Sequence, residues 1–308
     1  MVEVQQLTKR FGSRLAVDQL SFNVGPGEVL GFLGPNGAGK STTMKMVTGF
    51  LQPTSGTARV NGFDILEQPL DAKKAMGYLP EGAPAYGDMT VQQFLNFIAD
   101  IRGLSGDFKR ARMQRVVEDV HLTQVLAQRI DTLSKGFRRR VGLAQAIIHD
   151  PKVLILDEPT DGLDPNQKHE VRHLIRNMSK DKIIVISTHI LEEVEAVCTR
   201  AMIIAHGKLL ADGTPDDLAA KSRYHGAVTL KLAARDEAAR VLKELPDVLE
   251  VKNEDASNEL TVFPRPGAAV LQSVSAMVEQ KRWTVQALYQ QKGRLDDVFR
   301  QITGGAAA

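Results

Sequence analysis

The sequence predicts an α/β protein with a largely parallel sheet, followed by a small α+β domain. Three observations carry that prediction. Short β-branched runs alternate with amphipathic helical stretches up to about residue 220, the pattern of strands joined by crossover helices. Within that alternation, residues from about 88 to 140 change to apolar repeats at three and four, the period of helices alone. After residue 220 the order becomes strand, helix, strand, strand, helix, strand. At 308 residues the chain has length for two domains of roughly 150 residues each, and we place them at 1–220 and 221–308.

The first 25 residues and Gly56–Gly62 (GTARVNG) alternate in polarity and read as strands of a small antiparallel layer. Val29–Leu33, Val153–Leu156, Ile183–Ser187 and Ala201–Ala205 are continuous apolar runs bounded by turn residues or charges, as buried strands are. The inserted lobe opens at Thr90 with Gln93 three residues on, the spacing of a capping box. Beyond 220 we expect strands at Ala227–Leu232, Val248–Lys252, Glu259–Phe263 and Trp283–Tyr289. Helices should occupy Asp236–Leu245, Ala268–Gln280 and Leu295–Thr303. That order is the ferredoxin-like split motif. The closing GGAAA is expected to be disordered.

Composition excludes several classes. Lys and Arg number 39 against 37 Asp and Glu, a formal net charge of +2, too balanced for a dedicated nucleic-acid binder. The single cysteine, Cys198, excludes an internal disulfide framework or a multi-cysteine metal site and fits a reducing compartment; on an apolar helix face it reads as a core thiol. Neither a signal-peptide run nor the ~20 apolar residues of a spanning helix occurs. The expectation is a cytoplasmic chain whose membrane role, if any, comes through a partner. Lys109-Arg110-Ala111-Arg112 and Arg138-Arg139-Arg140 lie near acids and read as solvated helix faces. Met44 and Met46 read as packing.

Residues 34–42, GPNGAGKST, match G-x-x-x-x-G-K-[ST] directly after the strand VLGFL and before the helical STTMKMVTGF. That context makes the match a phosphate site. Gly34, Gly37 and Gly39 let the backbone curl so that successive N–H groups face one anion, and the following helix adds its positive end. Lys40 supplies a charge to the β- and γ-phosphates, and the Ser41 hydroxyl is a Mg²⁺ ligand. Val153-Leu154-Ile155-Leu156-Asp157-Glu158 places Asp157 at the carboxyl end of a buried strand, where ligands of parallel sheets sit. There Asp157 would hold the Mg²⁺ shell, and Glu158 would polarise an attacking water as general base. Ser187-Thr188-His189 closes a strand expected beside that one, so His189 could hydrogen-bond a γ-phosphate.

Leu133-Ser134-Lys135-Gly136-Phe137, followed by RRRVGLAQAIIHDP and the acidic strand, resembles the LSGGQ signature of ATP-binding cassette proteins. The motif order is similar too: phosphate loop, helical lobe, signature, VLILDEPT, the loop Asp161-Gly162-Leu163-Asp164, then His189. The resemblance covers about residues 2–220. It implies a P-loop NTPase cassette with a RecA-like core, an antiparallel β layer and an inserted helical lobe. It also implies ATP and Mg²⁺ as cofactors, a catalytic set of Lys40, Glu158 and His189, and a head-to-tail homodimer. Each ATP would lie between one subunit's loop (Gly34, Pro35, Asn36, Gly37, Ala38, Gly39, Lys40, Ser41, Thr42) and Ser134 and Gly136 of the other, with Asp164 in the nucleotide-binding set. One loop alone leaves the outer face of the γ-phosphate open to water, which is a physical reason for the dimer.

The chain departs from the family pattern in three places. Lys135 and Phe137 stand where Gly and Gln are usual. Phe11 replaces the usual Tyr as the ring for adenine, with a core phenylalanine as the alternative. Glu81, in GYLPE, takes the place of a Gln; a carboxylate suits a hard cation better but adds negative charge beside the phosphates. The GYLPEGAPAYGDMT stretch and the tail resemble exporter ATPases whose separate permeases cross the membrane. The expected function is therefore an ATP-hydrolysing subunit, peripheral on the inner face of the membrane, that drives integral membrane permease subunits in export. The alternatives are an importer subunit, a soluble cassette ATPase acting on ribosomes or DNA, and a binding module without turnover. Gly82–Met89, exposing Tyr86 and Met89, is the expected docking surface for the permease, or else a linker between lobes.

Overall fold

Alternation inside single strands decides how the first part of the chain packs. A computed structural model describes residues 1–232, 235–254 and 259–304, in two compact units, Met1–Asp212 and Gly213–Ala308. The first unit begins β1 (Val2–Phe11), β2 (Arg14–Val24), β3 (Val29–Leu33), α1 (Lys40–Val47), β4 (Ser55–Val60), β5 (Phe63–Asp64), α2 (Pro69–Ala75) and β6 (Met76–Leu79). The lobe helices α3 (Val91–Ile101), α4 (Gly106–Asp119) and α5 (Lys135–Ile147) follow. The chain then returns through β7 (Val153–Asp157), α6 (Pro165–Ser179), β8 (Ile183–Thr188), α7 (Leu191–Val197), β9 (Arg200–Ala205) and β10 (Lys208–Gly213).

A six-stranded sheet of order β10-β9-β3-β8-β7-β6 forms the centre, with β9, β3, β8, β7 and β6 parallel to one another. Because side chains alternate across a strand, β7 sends Val153 and Ile155 to one core and Leu154 and Leu156 to the other. The first core, with Met44 and Met46 of α1, is shared with the antiparallel layer β2-β1-β4-β5. The second takes the lobe helices through Val91, Phe94, Leu95 and Leu143. A strand buried on both faces has to be apolar throughout, which is why these runs are continuous. The capping box forms as its spacing predicts: Thr90 Oγ1 accepts from Gln93 N, and Gln93 Oε1 accepts from Thr90 N. Cys198 packs where a side chain on Gly31 would collide with it.

The second unit contains α8 (Pro215–Ala219), β11 (Val228–Leu232), α9 (Arg235–Lys243), β12 (Val248–Glu254), β13 (Glu259–Pro264), α10 (Leu271–Lys281), β14 (Val285–Gln290) and α11 (Leu295–Gly304). Its sheet, β12-β13-β11-β14, is antiparallel throughout. Leu230 pairs with Leu260 on one side and Leu288 on the other, and Leu242 and Val274 of the helices close the core. This is the ferredoxin-like arrangement the order of elements predicts. Of the tail, Gly304 ends α11 and residues 305–308 lie outside the described residues.

Two readings are corrected. Arg139 and Arg140 are not on a solvated face: they are 4% and 7% exposed, held by carbonyls and by Glu170. In the other basic run, Arg112 donates to the carbonyls of Ile147 and Ile148. The docking surface expected at Tyr86 and Met89 also changes. Met89 packs against the lobe core rather than standing exposed, whereas Tyr86 is 55% exposed as expected while it stacks edge-on against Phe94 and Phe97.

Candidate functional site

The loop after β3 wraps an open cleft of about 300 Å³. Gly39, with φ +106°, has no room for a side chain: a Cβ would stand 2.6 Å from the Ala16 carbonyl oxygen. Glycine is therefore required where the loop turns into α1. The structure brings Phe11, Asn36, Gly37, Gly39, Lys40, Ser41, Thr42, Glu81 and Glu158 to the walls of this cleft. Gly34 and Pro35 take part through their backbones, accepting from Lys40 Nζ at 2.6 and 3.2 Å, and Ala38 is packed beneath. Phe11 is half exposed at the cleft rather than in the core, with Lys9 Nζ 5.2 Å from its ring centre.

Asp157 lies fully buried at the end of β7, level with Ser187 of β8. Burial raises its pKa. The nearby hydroxyls of Ser187 and Ser41 pull it the other way, yet neither closes a hydrogen bond of normal geometry on its two oxygens. A buried carboxylate without a donor is costly, and with the Ser41 hydroxyl beside it this oxygen set fits a hard divalent cation. Burial lowers the pKa of Lys40, and the negative charges of Glu158, Asp157 and Glu81 oppose that shift.

Glu158, one residue past the strand, adopts φ +53°, and its backbone N–H donates to the Ser187 carbonyl at 2.8 Å. Its carboxylate meets His189 Nδ1 at 2.8 and 2.9 Å. Arg139 was missed by sequence reasoning as a site residue. From α5 it donates to the carbonyls of Asp157 and Glu158 and, at 3.0 Å, to that of Pro80 beside Glu81. Arg14 and Ala16 also line the cleft unforeseen, brought there only by the β1–β2 pairing.

Ser134, Gly136 and Asp164 do not line this cleft. Ser134 caps α5, accepting from Phe137 N at 3.3 Å, and Asp164 caps α6, accepting from Gln167 N at 2.9 Å. Gly136 packs against Gly162 and Leu163, with the end of Gln167 2.8 Å from where a Cβ would sit. Ser134, Gly136 and Asp164 therefore lie apart from the cleft that the residues of the glycine-rich loop line.

The chain is 35% identical over 308 residues to the Nod factor export ATP-binding protein I of Paraburkholderia xenovorans, covering 98% of this chain and 97% of that one. It belongs to the ABC transporter ATP-binding family. The family model described as ABC transporter matches residues 17–161. The probable multidrug ABC transporter ATP-binding protein YbhF of Escherichia coli is 41% identical over 223 residues, 72% of this chain; the match spans only 38% of YbhF's length. A solved ATP-binding subunit of an ABC transporter superposes with a TM-score of 0.67 at 30% identity, over 71% of this chain and 91% of its own. Membership makes the fold of the first unit a P-loop NTPase cassette. No helix among the described residues is long and apolar enough to cross a membrane.

A string in this ABC cassette invites a different metal reading. His169-Glu170-Val171-Arg172-His173 has the spacing of a zinc peptidase helix. Glu170, however, is engaged by Arg140 at 2.8 Å, and no group of three His, Cys, Asp or Glu residues suited to a metal occurs among the described residues.

Proposed function

We propose that the chain is the ATP-hydrolysing subunit of a membrane exporter and works as a head-to-tail homodimer around two ATP molecules. The observation that carries this reading is the cleft that joins Lys40 and Ser41 to Glu158, with Asp157 buried at the strand end beside Ser41. Phe11 would stack on the adenine, and the loop amides of residues 34–42 with Lys40 would hold the phosphates. Mg²⁺ would be held by Ser41 and Asp157, with Glu81 facing the same space, and would offset phosphate charge when bound. Glu158 would accept a proton from the attacking water, oriented by the His189 ring it already contacts. Ser134, Gly136 and Asp164, absent from their own chain's cleft, would complete the partner's.

Export is favoured by what the relatives are named for, multidrug transport and Nod factor export. A permease would dock in a second cleft of about 1060 Å³. Phe50, Leu70 and Ile101, which line it, are 77%, 71% and 64% exposed, and exposed apolar residues gathered in one groove mark an interaction site. Glu81 and Pro84 lie on its wall, which puts the loop expected to couple the lobes at the groove through these residues. The subunit would thus sit on the inner membrane face through its permease.

The test is Glu158→Gln in the full-length protein. ATP affinity should be retained and turnover should fall by about 10²-fold or more. With ATP present, light scattering should show a shift from monomer to dimer. Normal turnover by this variant refutes the role given to Glu158.

A further inference from the structure

Both halves of the Glu158–His189 pair stand on the same buried carboxylate. Glu193, on α7, is 4% exposed. Its Oε2 accepts from the Thr188 hydroxyl at 2.7 Å, and its Oε1 accepts from the Thr160 hydroxyl. Thr188 immediately precedes His189, and Thr160 lies two residues beyond Glu158. Both threonines are buried as well. The struts continue from there: Thr188 Oγ1 accepts from Ile190 N at 3.1 Å, so the backbone is fixed on both sides of His189. The Thr160 carbonyl accepts from Leu163 N at 3.2 Å, and the Glu158 carbonyl from Asp161 N at 3.1 Å.

We infer that Glu193 is a positioning residue for hydrolysis, holding the Glu158 loop and the His189 loop in mutual register through the two threonine hydroxyls. Several facts converge on this role. A buried carboxylate carries a desolvation cost, and burial raises the pKa of Glu193 even though Arg172 and Lys168 partly balance its charge. A core that needed only filling would use an apolar residue at lower cost. Glu193 spends both oxygens on hydroxyls that belong to two separate segments, and each segment carries one member of the pair. Glu158 has φ +53°, a conformation uncommon for a side chain other than glycine, so it needs external restraint. Groups that handle an attacking water must be held closely, because a displacement of about 1 Å can cost about 10²-fold in rate.

This inference rests on the roles given above to Glu158 and His189, and the experiment separates the two. ATP turnover of the full-length protein is measured for Glu193→Ala, Glu193→Gln, His189→Ala and the Glu193→Ala/His189→Ala double variant, with Glu158→Gln as a parallel control. Glu193→Ala should lower kcat by about 10- to 100-fold with KM for ATP within about twofold, the split expected when positioning rather than binding is lost. Glu193→Gln keeps one acceptor and turns an N–H towards a hydroxyl that can accept, so its kcat should stay within about threefold of the native value. In the His189→Ala background, removing Glu193 should cost less than about twofold more, because the pair it aligns is already broken. If Glu193→Ala fails to fold, Thr160→Val and Thr188→Val each remove one strut and should each reproduce part of the kcat loss at unchanged KM.

A Glu193→Ala enzyme with native kcat overturns the inference. So does a Gln variant no better than Ala, a fully additive double variant, or struts whose removal leaves kcat unchanged. If Glu158→Gln itself turns over normally, it is the reading of the pair that fails.

Discussion

His149 should make the cassette lose stability in mild acid, and the size of the loss follows from its surroundings. The ring lies at the foot of α5, on the wall of the larger cleft. Its Nε2 is 3.0 Å from the Met76 carbonyl, so that nitrogen carries the proton, while Nδ1 is buried without a partner. Protonating Nδ1 would place a cation in a desolvated position facing Arg102. Burial first, then that neighbouring charge, lowers the pKa from 6.5 to about 4. A base with a depressed folded pKa is protonated first in the unfolded chain. Its contribution to stability is therefore intact above the unfolded value of 6.5 and drains away as pH falls from there to about 4.

At about pH 5 the loss should be about 2 kcal/mol, rising towards about 3 kcal/mol at lower pH. Glutamine at this position can still donate to Met76 and does not titrate. Urea unfolding of the native protein and His149→Gln, followed by circular dichroism at about pH 7 and about pH 5, isolates the effect, because every other titrating group is common to both. The native protein should lose about 2 kcal/mol more than the variant between the two conditions. Equal losses would refute the burial argument.

The trans arrangement predicts complementation: Lys40→Ala and Ser134→Arg chains, each inactive alone, should on mixing regain about a quarter of the intact sites by random pairing. No recovery in ATP turnover counts against head-to-tail sharing. Phe50→Ser with Leu70→Ser should weaken co-purification with the membrane partner by at least about 100-fold, since burying each side chain contributes about 1.5–3 kcal/mol. ATP affinity of the subunit should be unchanged; a variant that loses ATP binding but keeps its partner removes the docking reading.

What the sequence made legible was the local chemistry. The phosphate loop, its flanking strand and helix, and the acidic strand end are each set by contiguous residues, so pattern and position coincide. β6 was not legible as a strand. It has four residues, and its Gly77 is dictated by a distant neighbour, since a Cβ there would lie 1.9 Å from the Ala146 carbonyl oxygen. The same limit hid Arg139. A run of three arginines has the appearance of a solvated face, and only the fold brings the carbonyls of residues 80, 157 and 158 to a single guanidinium. Arg14 and Glu193 were missed because no motif announces them: Arg14 reaches the cleft through the β1–β2 pairing, and Glu193 joins the nearby Thr188 to Thr160 on a separate segment.

Arg139 matters because of where its helix runs. α5 has 13 residues, about 20 Å of rise, and three separate places lie along it. Ser134 caps its start, the surface proposed to face the partner's ATP. Arg139, a turn further, grips the backbone of both acids and of the residue before Glu81. Gln145, near its end, lines the cleft proposed for the permease, with His149 just beyond. Val141, Leu143, Ala144 and Ile147 pack its second half into the lobe core, so that half cannot flex without opening the core. A displacement at Ser134 on closure of a dimer would have to be shared by the acids and by the cleft. This would give the proposed coupling of nucleotide to membrane partner a single physical element, one helix that grips the backbone of both acids through Arg139 and lines the larger cleft through Gln145.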